Sequence, residues 1–269
     1  MKITPIIYLV LALIINPLKA NAAEQQGWKS LFNGKNLDGW EPYVSFQPET
    51  NEYLLVSKHT PRGINNDPKG VFSVVDGLLK VSGEEWGGLT SHAEFERFHL
   101  MFDIKWGDKK WPPRLDVVRD SGLLYYAVGP HGAQSSHWMR SHEFQIQEGD
   151  CGDYHSLDGA LIDVHAGHAN QGDWHFYRYD PSLPLQKNIS SRVLKLGNYE
   201  KPFGEWNTME VIADGTTLIH KVNGKEVFRA FNSRQKNGDQ ITPLQKGKLQ
   251  IQSEGAEVFY KNIKIKRLP

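Results

Sequence analysis

The chain has one cysteine, Cys151, in 269 residues. No internal disulfide can form, so the fold has to hold itself together through an apolar core, and a chain of this length can build one. A cysteine without an activating neighbourhood is a poor nucleophile, and Cys151 reads as a bystander. An excess of either charge is also missing, because 31 basic residues balance 31 acidic ones. With no basic block, a phosphate backbone finds nothing to bind, which excludes nucleic-acid recognition by charge. Long apolar runs are scarce. Ile6 to Ile15 is the one that stands out, and it is short for a bilayer. No later stretch approaches the roughly 20 apolar residues of a spanning helix. A sustained 3.6-residue apolar period is absent as well, and with it a helical fold.

The short apolar run has its own reading. Lys2 supplies a positive start, and the segment closes on Ala20-Asn21-Ala22, an A-x-A cleavage pattern. These features predict a secretory signal over residues 1–22 and a mature single domain over 23–269, periplasmic or secreted. The signal holds no cysteine, which argues against a lipid anchor.

What the chain does have is aromatics and alternation. The 8 Trp, 10 Tyr and 12 Phe suit both a sandwich core and the stacking of sugar C–H faces. "FHLMFDIKW" sends Phe98, Leu100, Phe102, Ile104 and Trp106 to one face of a strand. "TMEVIADGTTLIHKVNGKEVF" reads as three strands turning at Asp214-Gly215 and Asn223-Gly224. "VFSVVDGLLKV" reads as a hairpin turning at Asp76-Gly77. Many short strands in one domain predict an all-β, two-sheet antiparallel jelly-roll sandwich. Three stretches, 42–69, 107–119 and 150–191, read as long irregular connections, a length that points to function. The stretch 150–175 is expected to close over a ligand.

The chemistry concentrates in "SHEFQIQEGD". Period two places Glu143, Gln145 and Gln147 on one face and Phe144 and Ile146 on the other. Glu143 to Glu148 has the E-x-(D/Q)-x-x-E outline that resembles laminarinase-type β-glucanases, in which two glutamates serve as nucleophile and acid/base. Position 145 is an amide here and cannot ionise. Glu148 returns to the face of Glu143 only through a bulge. Arg140 and His142 lie beside the strand as candidate stabilisers of an oxyanion, and Trp138 and Trp174 as stacking platforms. His131, His137 and His155 are further candidates for a sugar cleft. "HAGHANQGDWH" brings His165, His168 and His175 near Asp163 and Asp173. That spacing fits no established metal-ligand pattern, so no metal or other cofactor is assigned.

Six segments together resemble the 3-keto-disaccharide hydrolase domain family. They are "GWKSLFNGKNLDGW", Gly88-Leu89-Thr90 with "FERFHLMFDIKW", "DSGLLYYAVGP", "HEFQIQEGD", "GEWNTMEVIADGTTLIHKVNGKEV" and "LQIQSEGAEVFYKNIKIKRL". The likeness runs from Trp28 to Leu268. It departs where the family often has Asn-Ser-Gly, against Asp120-Ser121-Gly122 here, and where it often has His-Gly, against Glu254-Gly255. The central motif also carries Gln147 in place of the usual aspartate.

The resemblance implies a concanavalin A-like lectin/glucanase sandwich that cleaves glycosides already oxidised at C3, with a sugar 3-dehydrogenase as functional partner. A C3 ketone acidifies the C2 proton, so one base, one enolate stabiliser and one acid suffice. On this reading Glu143 is the base, Glu148 the acid and Arg140 the enolate stabiliser. Gln145, Gln147, His142, Trp138, His165, Trp174 and Glu254 contact the sugar. A retaining β-glucanase using Glu143 and Glu148, and a non-catalytic glycan-binding module, are the alternatives.

Overall fold

A strand with one apolar face must bury it, and two sheets packed face to face do this for many strands at once. The computed structural model describes residues 27–48, 60–171 and 174–269, apart from the side chains of residues 170, 171, 174 and 175. The expected signal, residues 1–22, lies outside the described residues. Among the described residues there are twenty strands, and none is helical. No helix there is long and apolar enough to cross a membrane.

The first sheet runs β3 (Gly63–Ile64), β2 (Trp40–Val44), β6 (Gly87–Ser91), β19 (Lys248–Ser253), β8 (Asp120–Val128) and β9 (Arg140–Gln147). It continues through β10 (Tyr154–Leu157) and β14 (Val193–Leu194) to β12 (Trp174–Tyr179), with only the β12–β14 pairing parallel. The second sheet runs β4 (Phe72–Val75), β5 (Leu78–Val81), β20 (Ala256–Arg267), β7 (Arg97–Lys110) and β15 (Asn207–Asp214). Beyond them come β16 (Thr217–Val222), β17 (Lys225–Asn237), β11 (Ala160–Gln171) and β13 (Leu185–Ile189). Two short strands complete it, β1 (Trp28–Ser30) on β20 and β18 (Gln240–Pro243) on β17. β11 joins the two sheets, since its far half pairs with β12.

The core lies between the sheets. β7 alternates buried and half-buried positions from Phe98 to Trp106, as its sequence requires. Phe102 of β7 meets Phe144 of β9 edge to face, with ring centroids 6.2 Å apart. Tyr154 of β10 stacks on Phe228 of β17 at 5.2 Å. The hairpins turn where expected: Asp76-Gly77 and Asn223-Gly224 carry the paired positive φ of tight turns.

The stretch 150–191 is not an irregular loop. It forms β10, β11, β12 and β13. Its strands were hidden because β11 crosses between sheets and presents small and polar residues, Gly167, His168 and Ala169, instead of an apolar alternation. Of the stretch 42–69, residues 49–59 lie outside the described residues.

Candidate active site

Because Phe144 and Ile146 of β9 enter the core, Glu143, Gln145 and Gln147 must point to the outer face of the first sheet. Register extends that face to its neighbours. On β8, Asp120, Gly122 and Leu124 stand opposite Gln147, Gln145 and Glu143. On β10, His155 stands opposite Glu143. On β19, Gln252 pairs across to Gly88 of β6, and Glu254 follows just past the strand end. Asp120, Glu143, Gln145, Gln147, His155, Gln252 and Glu254, with Arg114, Trp138 and Arg192, line a cavity of about 210 Å³.

Three carboxyls meet there. Asp120, Glu143 and Glu254 are all buried, and Arg114 lies among them. Its Nη2 binds Asp120 Oδ2 at 2.5 Å and also Glu254 Oε1. Asp120 collects further donors: Gln147 Nε2 at 2.7 Å, Gln145 Nε2 at 3.1 Å and the Ser121 amide at 3.0 Å. Glu143 has no such clamp, and among the described residues no guanidinium or ammonium forms an ion pair with it. Burial pushes the Glu143 carboxyl well above the usual carboxylate range, and the nearby Glu254 and Asp120 push it further, opposed by a hydrogen bond with Gln252 and by the charge of Arg192. Burial likewise raises Glu254, opposed by Arg114. Burial and Glu254 raise Asp120, opposed by Arg114 and Gln147. One guanidinium cannot balance three carboxylates, so the cluster titrates as a unit and keeps protons to higher pH than isolated acids do.

Two glycines make the arrangement possible. A Cβ on Gly122 would lie 2.2 Å from Glu143 Oε1 and 2.3 Å from Gln252 Oε1, so both side chains lean over the gap it leaves. Gly255 adopts φ +79°, and a Cβ there would meet Arg114 Cγ at 2.6 Å. The Gly255 carbonyl also accepts from the Trp111 amide at 2.8 Å, which fixes the loop that carries Arg114.

The remaining walls are polar with one aromatic. Trp138 is buried, donates from Nε1 to the Gly87 carbonyl at 3.1 Å and stacks on Trp86 at 5.5 Å. Burial, reinforced by Arg192, lowers the His155 imidazole to about 3, so it is neutral. His155 Nε2, Gln145 Oε1 and Gln252 Oε1 are enclosed and, among the described residues, have no hydrogen-bond partner. Enclosed polar atoms left unpaired in a cavity are ready to bind a polar ligand. Arg192 is held by Asp153 at 2.6 Å and Asp150 at 2.8 Å.

Of the residues singled out in the sequence, Glu143, Gln145, Gln147, Trp138, His155 and Glu254 come together here. Others do not line it, among them His131, which lies 3.6 Å from Glu41, and His137, which packs on Trp86. β9 ends at Gln147 without a bulge, and Glu148 turns away to pair with Arg119 at 3.1 Å. It does not line the cavity, so the Glu143–Glu148 pair of a retaining glucanase is not assembled. Arg140 shares the parity of Phe144 and reaches Asp158 at 3.0 Å at the sheet's edge. His142 shares it too and is sealed in the core between Tyr154 Oη at 2.9 Å and Ser233 Oγ at 2.6 Å. Burial lowers its imidazole to about 3. His165 sits on β11 and bonds the Leu183 carbonyl at 2.7 Å. The described part of 150–175 forms strands rather than a loop over the cavity, and β10 within it contributes His155 to the cavity wall. The side chains of Trp174 and His175, and all of Asp173, are outside the described residues. Among the described residues no three His, Cys, Asp or Glu side chains converge as a metal-ligand set. Asp120, Arg114, Arg192 and Gln252 were not singled out, although Asp120-Ser121-Gly122 and the Gln250, Gln252, Glu254 alternation are visible signals.

The family model of the 3-keto-alpha-glucoside-1,2-lyase-like domain matches residues 27–266. No curated protein sequence matches. Among solved structures, a candidate glycosyl hydrolase from Parabacteroides distasonis is 23% identical with a TM-score of 0.52, over 91% of this chain and 96% of that one. A second candidate glycosyl hydrolase from the same organism is 20% identical with a TM-score of 0.49, over 90% and 99%. A β-glucanase from Bacillus licheniformis is 10% identical with a TM-score of 0.43, over 90% and 97%. At these identities the likeness to solved structures concerns the fold.

Proposed function

This chain belongs to the 3-keto-α-glucoside-1,2-lyase-like domain family, and from that premise we propose that it cleaves 3-keto-glycosides by elimination followed by hydration. Family membership supports a carbohydrate-active role, and the site chemistry supports the finer reading. The observation that carries it is the contrast within the buried cluster. Asp120 and Glu254 are clamped by Arg114, while Glu143 is unclamped and made more basic by burial. A carboxylate with a raised pKa beside a sugar is suited to proton abstraction.

In the proposed course, Glu143 takes the C2 proton, and the C2–H electron pair forms an enolate with the C3 ketone. Arg114, the guanidinium within the cluster, supplies positive charge toward the enolate oxygen. The enolate then expels the C1 oxygen with its aglycone, leaving a 1,2-unsaturated 3-keto sugar. The aglycone oxygen takes up a proton. Water adds at C1 and a proton returns to C2, so the net change is hydrolysis. His155 Nε2, Gln145 Oε1 and Gln252 Oε1 are free to bind sugar hydroxyls, and Trp138 offers an apolar wall.

Such a substrate requires prior oxidation at C3, the reaction of a sugar 3-dehydrogenase. Export to the periplasm or beyond is part of the same proposal, resting on Lys2, the apolar run and Ala20-Asn21-Ala22. Sequencing the exported protein should give a start near Ala23, and an intact Met1 would refute it.

The function is tested by supplying plain and 3-oxidised forms of one disaccharide. Cleavage of the oxidised form alone is expected. Cleavage of the plain form would indicate a glucanase, and cleavage of neither a binding module.

A further inference from the structure

The 210 Å³ cavity is small for a disaccharide, since sites for small molecules typically span roughly 300–1,000 Å³. A second cleft of about 520 Å³ lies against it, and Arg192 lines both. Strand register places the two on one continuous face. Tyr154 of β10 pairs with Val193 of β14, and Val193 pairs with Tyr177 of β12; Tyr154 and Val193 lie in the core and Tyr177 packs against it. By alternation Arg192, Leu194 and Arg178 therefore point outward, the way His155 and Glu143 do. Leu194 and Arg178 are themselves directly paired.

The cleft's chemistry is mixed and nearly balanced in charge. Arg192 is neutralised by Asp150 and Asp153, and Lys195 by Glu200 at 2.9 Å. Arg178 is exposed and, among the described residues, has no ion-pair partner. It lines the cleft together with Asp150 and Asn198. Donors and acceptors set side by side with little net charge, and interleaved with the apolar Ala169 and Leu194, match a sugar, whose hydroxyls both donate and accept and whose C–H faces are apolar. They do not match a purely apolar or a strongly anionic group.

We propose that this cleft is the leaving-group subsite and that it takes a second sugar or a similarly polyhydroxylated aglycone. The inference rests on the C2-elimination reading. The oxidised ring occupies the cavity beside Glu143, its C1–O bond crosses at Arg192, and Arg178 hydrogen-bonds the leaving sugar.

The test compares methyl 3-keto-α-glucoside with a 3-keto-glucosyl-glucose on the full mature protein, on Arg178→Ala and on Ala169→Trp, which fills the cleft. For the disaccharide, KM should rise roughly tenfold in Arg178→Ala and further in Ala169→Trp. The methyl glycoside should be turned over as before by both variants. Equal effects on the two substrates, or no effect on either, would overturn the subsite. If the parent protein cleaves neither substrate, the elimination reading fails, and the subsite is then decided by binding. Titration with an unoxidised glucose disaccharide should shift the NMR signal of the Arg178 Nε–H, while glucose alone should not. No shift with the disaccharide would overturn the proposal.

Discussion

Gly255 lies directly beneath Arg114, so close that a single added carbon would stand 2.6 Å from Arg114 Cγ. The backbone there is left-handed, at φ +79°. Gly255→Ala should therefore carry two costs, backbone strain and displacement of the guanidinium that binds Asp120 and Glu254. A loss of about 1–3 kcal/mol in denaturant unfolding is expected from the strain. Turnover should fall with it, because the carboxyl cluster loses its counter-charge. Full activity in a folded Gly255→Ala variant would separate Arg114 from the chemistry.

Gly122→Ala tests positioning without the backbone term. Its Cβ would displace the ends of two flexible side chains, Glu143 and Gln252, to which the three nearest atoms belong. Stability should change little, while kcat/KM falls about a hundredfold, the usual cost of moving a reacting group by an ångström. A large drop in melting temperature with activity intact would contradict this.

Acid should destabilise the fold through its sealed histidines. His220 donates from Nδ1 to the Gly152 carbonyl at 3.0 Å and accepts at Nε2 from Tyr125 Oη at 2.9 Å. Burial lowers its imidazole to about 3, as it does that of His142. In the unfolded chain these rings titrate near 6.5. The unfolded state thus binds more protons between pH 6.5 and about 3, and stability is full above 6.5 and lost as pH falls through that window. Each ring contributes a slope of about 1.4 kcal/mol per pH unit. His220→Gln should be less stable at pH 7 yet show a shallower acid limb in urea titrations at pH 7, 5 and 4. An unchanged slope would refute the assignment.

The carboxyl cluster works in the opposite direction. Glu143 has a raised pKa in the folded state, so the native protein holds a proton that the unfolded chain has lost. Stability is then present below the ordinary carboxylate range and lost as pH rises through the folded value. Glu143→Gln should melt higher than the parent near neutral pH, and the gain should vanish in acid. A variant that melts lower at neutral pH would show Glu143 to be a structural anchor.

The sandwich was legible because its signals are local. Phe98 to Trp106 alternate without interruption, and Asp76-Gly77 and Asn223-Gly224 specify their own turns. The row Glu143, Gln145, Gln147 followed from the same rule, which also places His142 with Phe144 in the core; expecting it at the sugar overlooked its parity. Glu148 depended on a bulge that the strand does not make. The rest of the site was out of reach of local pattern. Arg114 and Asp120 meet Glu254 across about 140 residues of chain, through the pairing of β8, β19 and β9. Nothing in a single segment states that pairing. β11 was hidden for a different reason, since a strand passing between two sheets has no one apolar face to show.

The most direct test of the account follows the C2 proton. Methyl 3-keto-α-glucoside is turned over in D₂O by the parent protein and by Glu143→Gln, and deuterium at C2 of the released sugar is read by NMR, corrected for exchange without enzyme. Elimination and hydration place solvent deuterium at C2 in each turnover, and loss of the base slows turnover by roughly a hundred- to ten-thousand-fold. Because Glu143 must be ionised to act, the parent's kcat/KM should also fall on the acid side at a pH above the ordinary carboxylate range. Cleavage that leaves C2 unlabelled, or a Glu143→Gln variant that turns over at the parent's rate, would contradict the account.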